Sequence, residues 1–328
     1  AVATERAVLE EWTRERTPFQ WATAEASLGV TLEVLGTRET GTTSLEASVQ
    51  ASRDALEEIT RTRSPLDWAH IQDTLGCTLG DLAEREGSAA RLQEAVTAFK
   101  AALEVRTRGR SPLDWARTET NLGVTLQTFG TRARNAGLIR QAIAADRLAL
   151  TELTRSRVPL EWAEAQSNLG GSLTELSKSE RGTADIAAAV AAFRNALQEM
   201  SPQKGPEQWA LIQTNLGAAL TTWGARVSGT AQLLEAISIY RLVLPQTRDV
   251  APLEWARTEY NLSYALRLLA ARESGVIHLQ ESLAALEACE TVAESNWPPD
   301  QIKALKRRES ETRMEIARRQ KALPRQSL

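Results

Sequence analysis

Ser111–Leu150 reads SPLDWARTETNLGVTLQTFGTRARNAGLIRQAIAADRLAL, and its pattern returns five more times along the chain. Trp21, Trp68, Trp115, Trp162, Trp209 and Trp255 each stand in a P-x-x-W-A frame, and subtracting their numbers gives steps of 47, 47, 47, 47 and 46. Seven residues after each Trp comes a leucine: Leu28, Leu75, Leu122, Leu169, Leu216 and Leu262. Glycine follows it at Gly29, Gly76, Gly123, Gly170 and Gly217, and Ser263 takes the sixth place. A second block is anchored at Leu45, Leu92, Ile139, Ile186, Leu233 and Leu279 with the same period. A fixed period of about 20–50 residues is the mark of stacked supersecondary units.

Each unit reads as two helices. Ser64, Pro65 and Asp67 open the first one, and Ser111, Pro112 and Asp114 repeat the wording. Serine suits the N-cap, proline the first helical position, and an acid at the third can answer free N–H groups. Trp115, Leu122, Leu126 and Phe129 then fall on one face, and Trp223 and Leu35, in the place of Phe129, read as core with it. Gly41, Asn135, Gly182, Gly229 and Gly275 mark a break, where a left-handed residue would end the helix. In the second helix Leu92, Ala95, Val96, Phe99, Ala102 and Leu103 make another apolar stripe. No run alternates with period two, so the expectation is about fourteen helices and essentially no strand.

Working outward, residues 1–16 match the end of a second helix: shifted by 47, Val49 falls on Val2 and Leu56 on Leu9. This is a partial helix of a preceding repeat, and the sequence reads as a piece of a longer protein. Residues 17–294 hold six repeats in one continuous array. Residues 295–328 hold a charged capping helix, Asp300–Lys321, and a tail, Pro324–Leu328, expected to fray.

Of 328 residues 42% are hydrophobic and 25% charged, with net charge −3 and pI about 5.8. No global basic field draws in nucleic acid. No apolar run approaches the ~18 residues of a membrane span. Cys77 and Cys289 are scattered, which fits a reducing, cytoplasmic setting. Arginine far outnumbers lysine and alanine is abundant, a bias that suggests a bacterial genome. His70 and His278 stand in different units. No nucleophile–base set, metal-ligand cluster or phosphate loop can be built, so neither catalysis nor a metal or cofactor is expected.

These motifs resemble the tetratricopeptide repeat over nearly the whole chain. Leu122, Gly123 and Leu126 fit that family's first helix, and Ala95, Phe99 and Ala102 its second, as do Ala189, Phe193 and Ala196. The resemblance implies an all-α, right-handed superhelical solenoid of helix–turn–helix repeats. The departure is length: the family's period is about 34, leaving about 13 extra residues per unit, which implies longer helices. Its early aromatic place holds Glu119, Gln166 and Gln213, with Trp four residues earlier. Long units of this wording look like those of bacterial multidomain proteins that carry a protease-like or NTPase module.

Asn121, Asn168, Asn215 and Asn261 each precede the leucine of their first helix. In the family this position lines a concave groove, and in some members such a row grips the main chain of an extended peptide. An amide offers a donor and an acceptor, as a peptide unit does; alternatively each amide braces a neighbouring helix. Ser27 and Thr74 take that place in the first two units, and by helical spacing His70, Asp73, Arg117, Thr120, Glu164, Ser167, Thr214, Arg257, Tyr260 and Arg267 lie near that face. The leading expectation is a scaffold holding a protein or peptide segment. The alternatives are a regulatory arm of a covalently linked effector domain and a self-assembly module.

Overall fold

Six N–H to C=O bonds recur just ahead of the repeated prolines. Thr17, Ser64, Ser111, Val158, Gly205 and Ala251 each donate their main-chain N–H to the carbonyl four residues earlier, at 2.9–3.0 Å. The residue before proline is thereby held extended, with φ near −145° at Ser64 and Ser111, as the proline ring demands. This turn replaces the expected side-chain cap. Neither serine accepts from the helix N-terminus; the Ser64 hydroxyl donates to Asp67 instead, and Ser111 Oγ is buried without a partner. Because the main chain fixes the entry, Thr, Val, Gly and Ala serve there as well as Ser.

The computed structural model describes residues 1–180 and 182–322, so the expected fraying of Pro324–Leu328 lies outside the described residues. Among them are fourteen α-helices and no strand. The protein is an all-α solenoid of helix–turn–helix repeats, divided into two compact units, Ala1–Ser179 and Glu180–Leu328. The first unit holds α1 (Val2–Glu11), α2 (Pro18–Arg38), α3 (Thr43–Glu58), α4 (Pro65–Glu86), α5 (Ala89–Leu103), α6 (Pro112–Ala133), α7 (Ala136–Ala149) and α8 (Pro159–Ser179). The second holds α9 (Ala184–Ala196), α10 (Pro206–Arg226), α11 (Ala231–Thr247), α12 (Pro252–Ala270), α13 (Ile277–Asn296) and α14 (Pro299–Ala322). Even-numbered helices up to α12 are the first helices, and α4 and α6 run 22 residues, about 33 Å at 1.5 Å per residue.

Within the α4–α5 and α10–α11 hairpins the helices meet over small residues. A Cβ on Gly76 would lie 2.7 Å from the Phe99 ring, and one on Gly217 would lie 2.5 Å from Tyr240. Only hydrogen at these places lets a buried ring lie flat on the first helix, which is the physical content of the Leu-Gly wording. At the same register α7 carries Asp146, fully buried, where Phe99, Phe193 and Tyr240 stand in α5, α9 and α11.

Neighbouring repeats are joined by a column of arginines absent from the sequence-based reading. Arg85 Nη2 donates to Gly36 O (2.6 Å), and its Nη1 to Gly41 O. Arg132 reaches Ala83 O (2.5 Å) and Glu84 O (3.1 Å). Arg272 reaches Gly224 O, Val227 O and Gly229 O, and Arg319 reaches Glu273 O (2.9 Å) and Gly275 O (2.8 Å). Each guanidinium neutralises the carbonyl end of the preceding first helix, where four acceptors and the negative pole of the helix lie.

Arg319 gives α14 the register of a seventh first helix. Its core places are polar, however: Glu309 stands where Leu262 does one repeat earlier, Arg313 where Leu266 does, and the two pair with each other at 2.7 Å.

Three expectations change. The left-handed residues are Gly87 and Arg134, not Gly41, Gly182, Gly229 or Gly275, and Asn135 opens α7 rather than closing α6. Leu35 is 39% exposed, and Phe129 and Trp223 are half-buried, because the adjacent Gly36, Gly130 and Gly224 are what touch Leu45, Ile139 and Leu233. The framework tryptophans range from buried (Trp209, Trp255) to half-buried (Trp21, Trp68, Trp115, Trp162). Arginine seven residues earlier stacks on four of them: Arg14, Arg61, Arg155 and Arg248 lie 5.4–5.9 Å from the rings of Trp21, Trp68, Trp162 and Trp255. Burial raises the Glu119 pKa, and the nearby Trp115 side chain opposes that rise.

Candidate functional site

The asparagine side chains sit on first helices, in pairs within each unit: Asn121 on α6 and Asn168 on α8, then Asn215 on α10 and Asn261 on α12. All four are half-buried. Asn121 Nδ2 donates to Cys77 Sγ on α4 at 3.4 Å, which ties it to the preceding repeat. Among the described residues Asn168, Asn215 and Asn261 find no hydrogen-bond partner, and none of their atoms is buried without one. Their amides are wet rather than bracing.

Several flanking residues are already engaged. Thr74, Thr120 and Thr214 are buried; the Thr120 hydroxyl donates to Ala116 O (3.1 Å), and Thr214 shares a hydrogen bond with Thr258 (3.1 Å). Arg117 grips Glu161 with both arms of its fork (2.8 and 2.9 Å) and Asp114 at 3.1 Å. His70 receives Arg106 Nη2 at 3.3 Å, and Arg106 also holds Asp73 (3.1 Å) and Thr118 (2.9 Å). These contacts fasten α4 to α6 and leave little of Arg106 free. Helical spacing placed all of these near one face but could not tell which ones the next repeat claims.

In the first unit Asn121 lines a hollow with Glu33, Cys77, Asp81, Glu84, Thr128 and Glu164, and no Lys or Arg lines it. Burial, with Asp81 and Asp73 nearby, raises the Glu33 pKa to about 7. Burial likewise lifts Asp81, with Glu84 adding to it, and Glu164, with Glu161 adding to it. The Cys77 thiol is pushed well up, first by burial and then by Asp73, so it is no nucleophile.

In the second unit Tyr260 is the centre. Trp297 meets it edge-on (5.7 Å between centroids, 82°), and Arg308 lies over its face at 4.2 Å and over Tyr264 at 4.9 Å. Arg267 holds Glu311 (3.3 Å) and the Arg308 carbonyl (3.4 Å), and Arg257 pairs with Glu254 at 2.5 Å. Trp297 and Arg308 were missed by sequence reasoning. The signal for Arg308 was available: it lies 47 residues after Asn261, in the seventh place of the asparagine row.

No group of three or more metal-ligating side chains occurs among the described residues, and no helix among them is long and apolar enough to cross a membrane. No family model matches the chain, and no curated protein matches it. Solved structures do. The chain is similar to the crystal structure of MamA protein (19% identity, 66% of this chain and 92% of that one, TM-score 0.40). It is also similar to a circular tandem repeat protein with novel repeat topology (16% identity, 98% and 90%, TM-score 0.34). A third is the TPR2AB-domain:pHSP90-complex of yeast Sti1 (14% identity, 89% and 98%, TM-score 0.29).

Proposed function

We propose that the first-helix faces hold an extended segment of a partner protein, with the asparagine amides gripping its main chain. The carrying observation is that Asn168, Asn215 and Asn261 are half-buried yet hydrogen-bonded to nothing among the described residues. An amide retained at a fixed register with both its donor and its acceptor free supports an external peptide unit as its partner. The carboxylates around Asn121 favour basic side chains on that segment in the first unit. A peptide selected by display on the wild-type protein is the probe. The double change Asn215→Ala with Asn261→Ala is expected to weaken it about tenfold to a hundredfold, from ~0.5–1.5 kcal/mol per bond. Thermal unfolding should stay within a degree or two. A drop in stability without a change in affinity would make the row a structural brace and end this reading.

A further inference from the structure

The α12–α14 side of the second unit holds a cation that the protein does not neutralise. Arg308 on α14 is half-buried, makes no ion pair among the described residues, and has Nη1 buried with no acceptor. Its guanidinium is oriented by the Tyr260 and Tyr264 rings. A guanidinium so desolvated normally pairs with a carboxylate; burial lowers the Arg308 pKa, and the attraction of Glu311, which forms no ion pair with it, does not offset that.

A hollow opens beside it, lined by Tyr260, Tyr264, Arg267, Arg307, Arg308 and Glu311. Three guanidinium groups there share one carboxylate, Glu311, at 3.3 Å from Arg267 and 3.6 Å from Arg307. Two positive charges are left over. The floor is made by Ala304, which also lines the adjoining hollow with Arg257 and Trp297. The equivalent places one and two repeats earlier hold Arg257 and Leu211, so the methyl group is what leaves room.

We propose that this hollow binds a phosphate monoester, the phosphate on the arginine forks and the group that carries it against Tyr264 and Leu268. A doubly charged anion matches the charge left over, and planar forks match phosphate oxygens in pairs. The site uses no asparagine of the row, so it stands or falls apart from the peptide-groove reading.

The probe is phenyl phosphate, titrated by calorimetry and by the Arg side-chain N–H signals in magnetic resonance, with benzoate and phthalate as carboxylate controls. Saturable binding of phenyl phosphate is expected, about tenfold or more tighter than phthalate, and weakening below about pH 6 as the second phosphate proton returns. Arg308→Gln should weaken it about tenfold or more, as expected for a charge-assisted contact. Ala304→Leu, which fills the floor and keeps Arg308, should do the same, and circular dichroism melting checks that both variants fold. The Asn215→Ala, Asn261→Ala protein should bind phenyl phosphate as wild type does. Phosphoserine inside an alanine pentapeptide, compared with free O-phosphoserine, tells a protein source from a small molecule; binding of either upholds the site. The proposal is overturned by absence of saturable binding, by phthalate binding as tightly, or by unchanged affinity in both the Arg308 and Ala304 variants.

Discussion

Asp146 offers a direct test of how the hairpin core is built. It is fully buried in α7, Ser172 Oγ donates to its Oδ2 at 3.2 Å, and its Oδ1 has no partner. A Cβ on Gly123 would lie 2.5 Å from that Oδ1, so the carboxylate occupies the space a ring fills in other repeats. Burial raises its pKa from 3.8 to about 7, against the smaller lowering by Ser172. A carboxylate whose folded pKa is raised disfavours the fold once the unfolded chain ionises. Stability should therefore fall as pH rises from about 4 to about 7, and be level above that. The whole shift corresponds to roughly 4 kcal/mol, of which about 2.7 kcal/mol falls between about pH 5 and about pH 8. Asp146→Asn keeps the shape and removes the titration. The amide's own fit adds a constant, since one of its hydrogens lacks an acceptor, but a constant does not change with pH. The other raised carboxylates, Glu25, Glu33, Asp81, Glu119, Glu164 and Glu259, titrate in both proteins and cancel. The stability of Asp146→Asn relative to wild type, from urea unfolding, should rise by close to 3 kcal/mol between about pH 5 and about pH 8. Hydrogen exchange should place the change in α6, α7 and α8. A difference flat to about 0.5 kcal/mol across that range would refute a buried, ionising Asp146.

Arg272→Ala removes the guanidinium that serves the carbonyl end of α10, and should cost about 1–2 kcal/mol in urea unfolding of the second unit; Arg272→Lys should recover less than half, because one ammonium cannot reach Gly224, Val227 and Gly229 together. A loss below about 0.3 kcal/mol would mean that water caps the helix as well. Trp115→Ala should destabilise the first unit by about 3 kcal/mol, the low end for a large ring because the indole is half-buried, and the loss should spread to adjacent repeats. Unchanged thermal unfolding with a specific loss of partner affinity would make Trp115 a binding residue instead.

The fold was legible because period and apolar spacing are local and repeated. Six copies of P-x-x-W-A and Leu-Gly state the same hairpin six times, and the helices fall where the spacing puts them. The site was legible only in part. Spacing along a helix gives a face, but whether Arg117 is free or held by Glu161 depends on the next repeat, 44 residues away. Thr74, which takes the asparagine place in its unit, and Thr214, next to Asn215, illustrate the same limit, since both are buried. Cap chemistry failed for a different reason. Ser64 and Ser111 obey the local preference for a serine before proline, yet the main-chain turn had already fixed the entry, and the side chain was left over.

The arginine column carries this argument a step further. Arg85, Arg132, Arg226, Arg272 and Arg319 share one register, and the third place of that column, between Arg132 and Arg226, is Ser179. A serine there reaches only its own helix, donating to Leu176 O at 2.8 Å, so the end of α6 receives no guanidinium from α8. That end is closed from within, as the end of α4 also is at Gly87. Arg134 turns left-handed (φ 50°), its N–H meets Thr131 O, and Asn135 N–H meets Gly130 O at 2.8 Å. Ser179 is also the last residue of the first compact unit. A single departure from the repeat thus removes an inter-repeat bond and coincides with the place where the array divides. In a solenoid the informative residue is the one that breaks its column.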